Sequence, residues 1–234
     1  MHLVAPHGGG GQSPGGLEAH PCYSRGDLAE GKPSLDAAPS RHVKSIGCRR
    51  ISQKVKNVYW WEFKCKGLTV QVASSDSGAV RVGIGFIRKG DFVSELKALG
   101  PRADIFEDFG PNEALINVIE AYLRGDNPPI DLPWDINAST FTYKVWTAVC
   151  TIPYGETRYY KDVACMVGRP RGARAAGQAL NRNPLPILIP CHRVVSIDGL
   201  GGFGAGIDVK RYLLNLEQGK FASRTEKNEG FHGR

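Results

Sequence analysis

The chain has 234 residues, enough for one large domain or two modest ones, and its 41% apolar content with four tryptophans fits a globular protein. No window reaches the roughly 18 consecutive apolar residues of a membrane helix, and the N-terminus lacks the charged start and apolar core of a signal peptide. Six cysteines without a Cys-x-x-Cys pair argue against a disulfide framework or a strong zinc site, and the formal net charge of +7 points to a polyanionic partner. Together these features predict a soluble, intracellular protein with reduced thiols.

Residues 1–40 are rich in Gly and Pro, include Gly8-Gly9-Gly10-Gly11, and show no periodicity, so they are expected to form a disordered extension. His20, Cys22, His42 and Cys48 carry metal-ligating groups, but their spacing matches no standard zinc module, and no metal or other cofactor is expected. From 41 to 135 an N-terminal α/β domain is predicted. Its strands Val58 to Phe63, Leu68 to Ala73 and Val80 to Phe86 are β-branched and aromatic, with Lys66-Gly67 and Asp76-Ser77-Gly78 as turns, which reads as a small antiparallel meander. The pair Trp60-Trp61 is assigned to packing. A helix follows, started by Pro111 and Asn112, carrying Leu115, Ile116, Ile119 and Leu123 at helical spacing, and closed by Gly125; Asn127-Pro128-Pro129 and Leu132-Pro133-Trp134 read as a linker.

The second domain is predicted over 136–219, with a mobile tail over 220–234. Ser139 and Thr140 can cap a helix with Phe141, Val145, Ala148 and Val149 on one face. A short helix at Tyr160 to Val167, stopped by Gly168, and a second at Arg171 to Asn181, opened by Pro170, outline a helix-turn-helix. Between Glu156 and Arg182 six cations (Arg158, Lys161, Arg169, Arg171, Arg174, Arg182) face two carboxylates, a balance suited to nucleic acid. The second helix also carries Ala173, Ala175, Ala176, Gly177 and Ala179. Such a smooth surface lets the backbone come close to another helix or a groove.

The apolar run Ile187 to Pro190 then reads as a strand that delivers Cys191 to one fixed place, with His192 beside it as base or charge partner. Asp198-Gly199 suits a two-residue hairpin turn. Gly201-Gly202-Phe203-Gly204-Ala205-Gly206 lacks the order of a phosphate-binding motif and is read as lining a pocket with backbone N–H groups. Asp208 is expected to cap the last helix, whose buried stripe holds Val209, Tyr212, Leu213 and Leu216; Glu217 sits at its edge and needs a partner, for which His192 is a candidate.

Asn183-Pro184-Leu185-Pro186-Ile187-Leu188-Ile189-Pro190-Cys191-His192-Arg193-Val194-Val195, preceded by Gly172 to Gly177 and followed by Tyr212 to Glu217, strongly resembles the O6-alkylguanine-DNA alkyltransferases over about 141–219. The resemblance implies an α+β chain with a ribonuclease-H-like N-terminal domain and a winged-helix-like C-terminal domain. It implies a suicide enzyme that repairs O6-alkylguanine, and O4-alkylthymine, by transferring the alkyl group once and irreversibly to Cys191 after base flipping. His192 and Glu217 would activate the thiol through a bridging water, Tyr160 would donate to the guanine, and Asn183 would brace the turn. Arg174 would fill the space of the flipped nucleotide, and Ala173, Ala175, Gly177 and Arg171 would lie against the minor groove. Val194, Phe203 and Gly204 would form the base pocket. Phe203 and Gly204 stand where some family members have Tyr and Ser, which puts the range of alkyl groups in question. The implied partner is double-stranded DNA, with no membrane, bound by a monomer in the cytoplasm of a prokaryote or the nucleus of a eukaryote. Two other readings remain at this point: a protein that binds alkylated bases without transfer, against which the presence of Cys191 stands, and a cysteine hydrolase, which leaves the basic helices unexplained.

Overall fold

The computed structural model describes residues 57–85, 89–99 and 103–220, so the expected extension, tail and N-terminal metal candidates fall outside the described residues. Strands β1 (Asn57–Cys65), β2 (Leu68–Ser75) and β3 (Gly78–Ile84) form the expected meander. The β1–β2 turn places Lys66 at φ 50° and Gly67 at φ 77°, the left-handed pair of a type I′ hairpin whose twist matches the strands. The sheet is not purely antiparallel. Helix α1 (Lys89–Leu99) crosses to β4 (Asp104–Glu107), which pairs parallel to β1 and gives the order β3-β2-β1-β4. Neither α1 nor β4 is foreseen in the sequence. The helix has a narrow apolar face, and the strand sets two adjacent apolar residues between carboxylates, which breaks the alternation that marks a strand.

Period-two alternation in β1 divides the sheet's two faces. Val58 and Trp60 join Ala73, Val80, Phe92 and Leu96 under α1, so Trp60 does pack as expected. The opposite face, Leu68, Val70, Val72, Val82 and Ile84, belongs to one continuous core with the remaining helices. Those are α2 (Glu113–Arg124), α3 (Thr140–Cys150), α4 (Tyr160–Met166), α5 (Ala173–Asn181) and α6 (Ile207–Glu217), which with α1 make six α-helices among the described residues. Helix α2 ends as expected on Gly125, at φ 98°. The side chain of Ser139 caps α3 by accepting from Thr142 N. The buried face of α3 is rotated from the expected one: Thr142, Val145, Trp146 and Val149 are buried, while Phe141 and Ala148 are half-buried. The indole of Trp146 donates to Ala179 O at 2.9 Å and thereby ties α3 to α5. Helix α5 starts at Ala173, later than Pro170 suggests, because 170–171 form a turn.

Three backbone hydrogen bonds fix the C-terminal part against the sheet edge. Ala79 N donates to Pro133 O and Asp135 N to Ala79 O, both at 2.8 Å, so the linker runs alongside β3; Gly78 must lack a side chain because a Cβ there would overlap the Pro133 carbonyl. Val82 N donates to Pro184 O at 2.8 Å, at the entrance to the cysteine-bearing segment. That segment is not the expected strand. Ile187 turns with φ 77°, which a β-branched residue rarely adopts; Pro190 (φ −78°, ψ 59°) forms an inverse γ-turn closed by Cys191 N to Ile189 O at 2.7 Å; Cys191–Arg193 is a 3-10 turn. Only Val194–Val195 is extended: it forms β6, paired in parallel with β5 (Arg158–Tyr159).

Candidate active site

Cys191 opens into a cleft of about 610 Å³ between α5 and the glycine loop. Ala173, Arg174, Gly177, Gln178 and Asn181 line it from α5, and Tyr160, Ser196 and Gly201 to Gly204 complete the lining. The Tyr160 ring lies between two glycines. Gly177 faces it with room for no more than a methyl contact, and a Cβ on Gly201 would crowd its ring and hydroxyl. Its hydroxyl reaches Gly202 O at 3.4 Å. The turn before the loop is displaced by one residue from expectation, because Ser196 and Gly199 pair and Ile197 and Asp198 occupy its centre.

Asn183 holds the cysteine turn with both ends of its amide. Its Oδ1 accepts from Leu185 N at 2.9 Å, and its Nδ2 donates to Ile189 O at 2.8 Å and to Cys191 Sγ at 3.0 Å, so the carbonyl and backbone partners fix the amide's orientation. Burial pushes the Cys191 thiol up to about 11, against the opposing pull of the Asn183 hydrogen bond and the Lys210 charge. The resting group is therefore a thiol, and it needs a base.

His192 is fully buried and does find Glu217: Nε2 lies 2.8 Å from Glu217 Oε1. The carboxylate is more enclosed than the expected edge position, and Gly155 N and the guanidinium of Arg193 also donate to it. Burial alone would raise the Glu217 carboxyl, but hydrogen bonds from His192 and Arg193 reverse this and hold it down to about 2. An ionised acceptor fixes the imidazole proton on Nε2. Nδ1 then carries the lone pair, and this buried atom has no hydrogen-bond partner among the described residues. Burial lowers the His192 pKa, with Glu217 opposing, which favours the neutral ring.

Three side chains of this cluster escape a sequence reading. Arg193 follows the Cys-His pair inside an apolar run, which is itself a sign that a charge is buried; its Nη1 also donates to Ile152 O at 2.7 Å. Lys210 is fully buried, donates to Val194 O at 2.6 Å and Gly202 O at 3.3 Å, and burial pushes it down to about 8. Its spacing to Leu213 and Glu217 on α6 is the available signal. Tyr122, from α2, looks like any core aromatic in sequence. Arg171 and Ala175, expected against DNA, are both exposed. Other expectations need correction. The side chain of Val194 is fully buried and lies outside the cleft lining, and its carbonyl serves Lys210. Asp208 stands inside the first turn of α6, paired with Arg211, and Gly206 is the N-cap residue; Tyr212 is half-buried, and Lys210 and Leu214 join the buried stripe.

A thiol in a cleft between an Arg174-bearing helix and a glycine loop, next to a buried imidazole-carboxylate pair, is the outline of a group-transfer site. The family model described as "6-O-methylguanine DNA methyltransferase, DNA binding domain" matches residues 140–219. A methylated-DNA–protein-cysteine methyltransferase from Methanosarcina barkeri is 43% identical over 129 residues, 55% of this chain and 82% of that protein. One from Mycobacterium bovis is 42% identical over 114 residues, 48% of this chain and 69% of that protein. Among solved structures, Mycobacterium tuberculosis OGT in complex with DNA superposes with a TM-score of 0.59 at 31% identity, covering 69% of this chain and 94% of that one. The chain belongs to the methylated-DNA–protein-cysteine methyltransferase family. No helix among the described residues is long and apolar enough to cross a membrane.

Proposed function

We propose that the protein repairs DNA by moving the alkyl group of O6-alkylguanine, and of O4-alkylthymine, onto its own Cys191, once per molecule. The observation that carries this reading is the thiol at the base of a cleft walled by α5, with a free imidazole lone pair in the cluster behind it. The thiol proton passes through a bridging water to His192 Nδ1, the Sγ–carbon bond forms as the carbon–O6 bond breaks, and the departing guanine takes a proton from Tyr160. Lys210 and Arg193 outnumber the Glu217 charge, which favours the developing thiolate. The thioether has no route back, so the protein is consumed.

The domain division at 135/136, a ribonuclease-H-like N-terminal part and a winged-helix-like C-terminal part belong to the same reading. In it α5 enters the minor groove of duplex DNA as a monomer's recognition helix, with its Ala and Gly surface allowing close approach and arginines supplying affinity without sequence preference. The damaged base leaves the stack, at a cost of a few kcal/mol that weakened pairing reduces.

The test is to mix the protein with a duplex holding one O6-methylguanine and map the mass change by peptide digestion. One methyl per molecule on the Cys191 peptide is expected, with no second turnover. Repeated turnover, or methyl on Cys150 or Cys165, would overturn the assignment. Arg174, exposed at the cleft rim, is the candidate to occupy the flipped base's place. Arg174→Ala is expected to slow repair in duplex DNA by roughly 10-fold or more while sparing the reaction with free O6-benzylguanine. Equal losses on both substrates would remove that role.

A further inference from the structure

The function proposed above makes no use of Tyr122, yet its hydroxyl sits where the His192–Glu217 pair meets. The residue is 1% exposed on α2, donates to Glu217 Oε1 at 2.5 Å, and has its oxygen 3.1 Å from His192 Nε2. Its ring also stacks edge-on against His192 and Tyr154, with centroids 6.2 Å and 5.9 Å away. We propose that Tyr122 is a positioning residue for the transfer reaction: its hydroxyl shares the Glu217 oxygen with His192, keeps the imidazole proton on Nε2, and so leaves Nδ1 as the base for Cys191. The inference rests on the reading of Cys191 as alkyl acceptor.

The chemistry follows from how one carboxylate oxygen is divided. Oε1 of Glu217 receives Tyr122, His192 and Arg193. Each donor withdraws part of the charge that would otherwise stabilise a protonated imidazole. Burial and the neighbouring carboxylate both raise the tyrosine's own pKa, so its proton stays in place throughout the working pH range. With its one proton committed to Glu217, the hydroxyl turns lone pairs toward Nε2–H and cannot donate to that nitrogen. The ring is therefore held in one tautomer from two sides. The charged and titratable groups facing it are Tyr122 from α2, Glu217 and Lys210 from α6, and Arg193 and Cys191 from its own turn, with Tyr154 behind Tyr122. Only the first is altered by a phenylalanine at 122.

Tyr122→Phe keeps the ring and deletes the hydroxyl, so it separates core packing from the proposed role. In single-turnover reactions with the O6-methylguanine duplex and with free O6-benzylguanine, the variant is expected to be roughly 10-fold slower on both, as when an outer partner of a working histidine is lost. Because more of the Glu217 charge is left to His192, the acid limb of the rate profile, followed between about pH 5 and pH 8, is expected to move to higher pH. A purely structural tyrosine would change the melting temperature without moving that limb, and a stationary limb overturns the proposal. Should the phenylalanine variant not fold, 3-fluorotyrosine at 122 keeps the volume and strengthens the donor. The limb must then move to lower pH, and no movement again overturns the proposal. A wild-type protein that leaves Cys191 unmethylated overturns both the function and this role, whereas a methylated wild type with a stationary limb overturns this role alone.

Discussion

Replacing Cys191 by serine is expected to abolish alkyl transfer while leaving a folded protein that still binds DNA. Sγ lies at the base of the cleft, and the backbone around it is held by bonds that do not involve sulfur: Asn183 to Ile189 O and Leu185 N, Cys191 N to Ile189 O, and Val82 N to Pro184 O. The stability change should stay within about 1 kcal/mol. The rate should fall by roughly 10⁴-fold or more, the scale on which enzymes lose activity when a nucleophile is removed from its catalytic group. A single-turnover assay on the O6-methylguanine duplex, beside a gel-shift measurement on the same duplex, checks both halves. Transfer by the serine variant at a rate near that of the wild type would place the reaction on another residue.

Glu217→Gln is expected to lose both stability and rate. The side chain is fully enclosed and receives Tyr122, His192, Arg193 and Gly155, so an amide there turns an NH2 group toward donors and leaves the Arg193 guanidinium without a counter-charge. Breaking a buried pair from one side costs about 3–5 kcal/mol. His192 loses the ionised acceptor that fixes its tautomer, which should slow transfer by about 10²–10⁴-fold at a temperature where both proteins are folded. The pH dependence has a definite sign. The Glu217 carboxyl is held down to about 2 from an ordinary value of 4.5, so its contribution is complete above pH 4.5 and is lost as pH falls toward about 2. The lowered His192 pKa adds to acid sensitivity in the same direction, since the unfolded ring takes up a proton more readily. Thermal melts should therefore show wild-type stability falling through that acid window, and the glutamine variant starting lower at neutral pH with a flatter fall.

What could be read from the chain depended on whether a residue's role is local. Cys191, Asn183, Arg174 and Tyr160 lie within one stretch whose spacing survives folding, and the structure gathers them around one cleft. Glu217 was legible because a carboxylate beside an apolar stripe demands a partner. Lys210 and Arg193 sit in similar stripes, which is a sign of burial, but a long cationic side chain can usually extend to water, so the sign is weaker than for a carboxylate. Tyr122 is spaced like a core residue, and its hydroxyl partners are 70 and 95 residues away. The apolar run before Cys191 misled because composition favours a strand, while the observed path requires Ile187 at φ 77°. Helix α1 and β4 leave little trace in the sequence because each is short and their apolar residues follow no extended period.

The hydrogen bond from Val82 to Pro184 and the hydroxyl of Tyr122 both reach the reactive turn from outside residues 140–219, the part whose family resemblance is plainest. A fragment cut to that part would keep the thiol, the imidazole and the carboxylate. It would lose a clamp on the turn's entrance and a donor on the carboxylate. The smallest piece that can be recognised is thus smaller than the smallest piece that holds its chemistry in register.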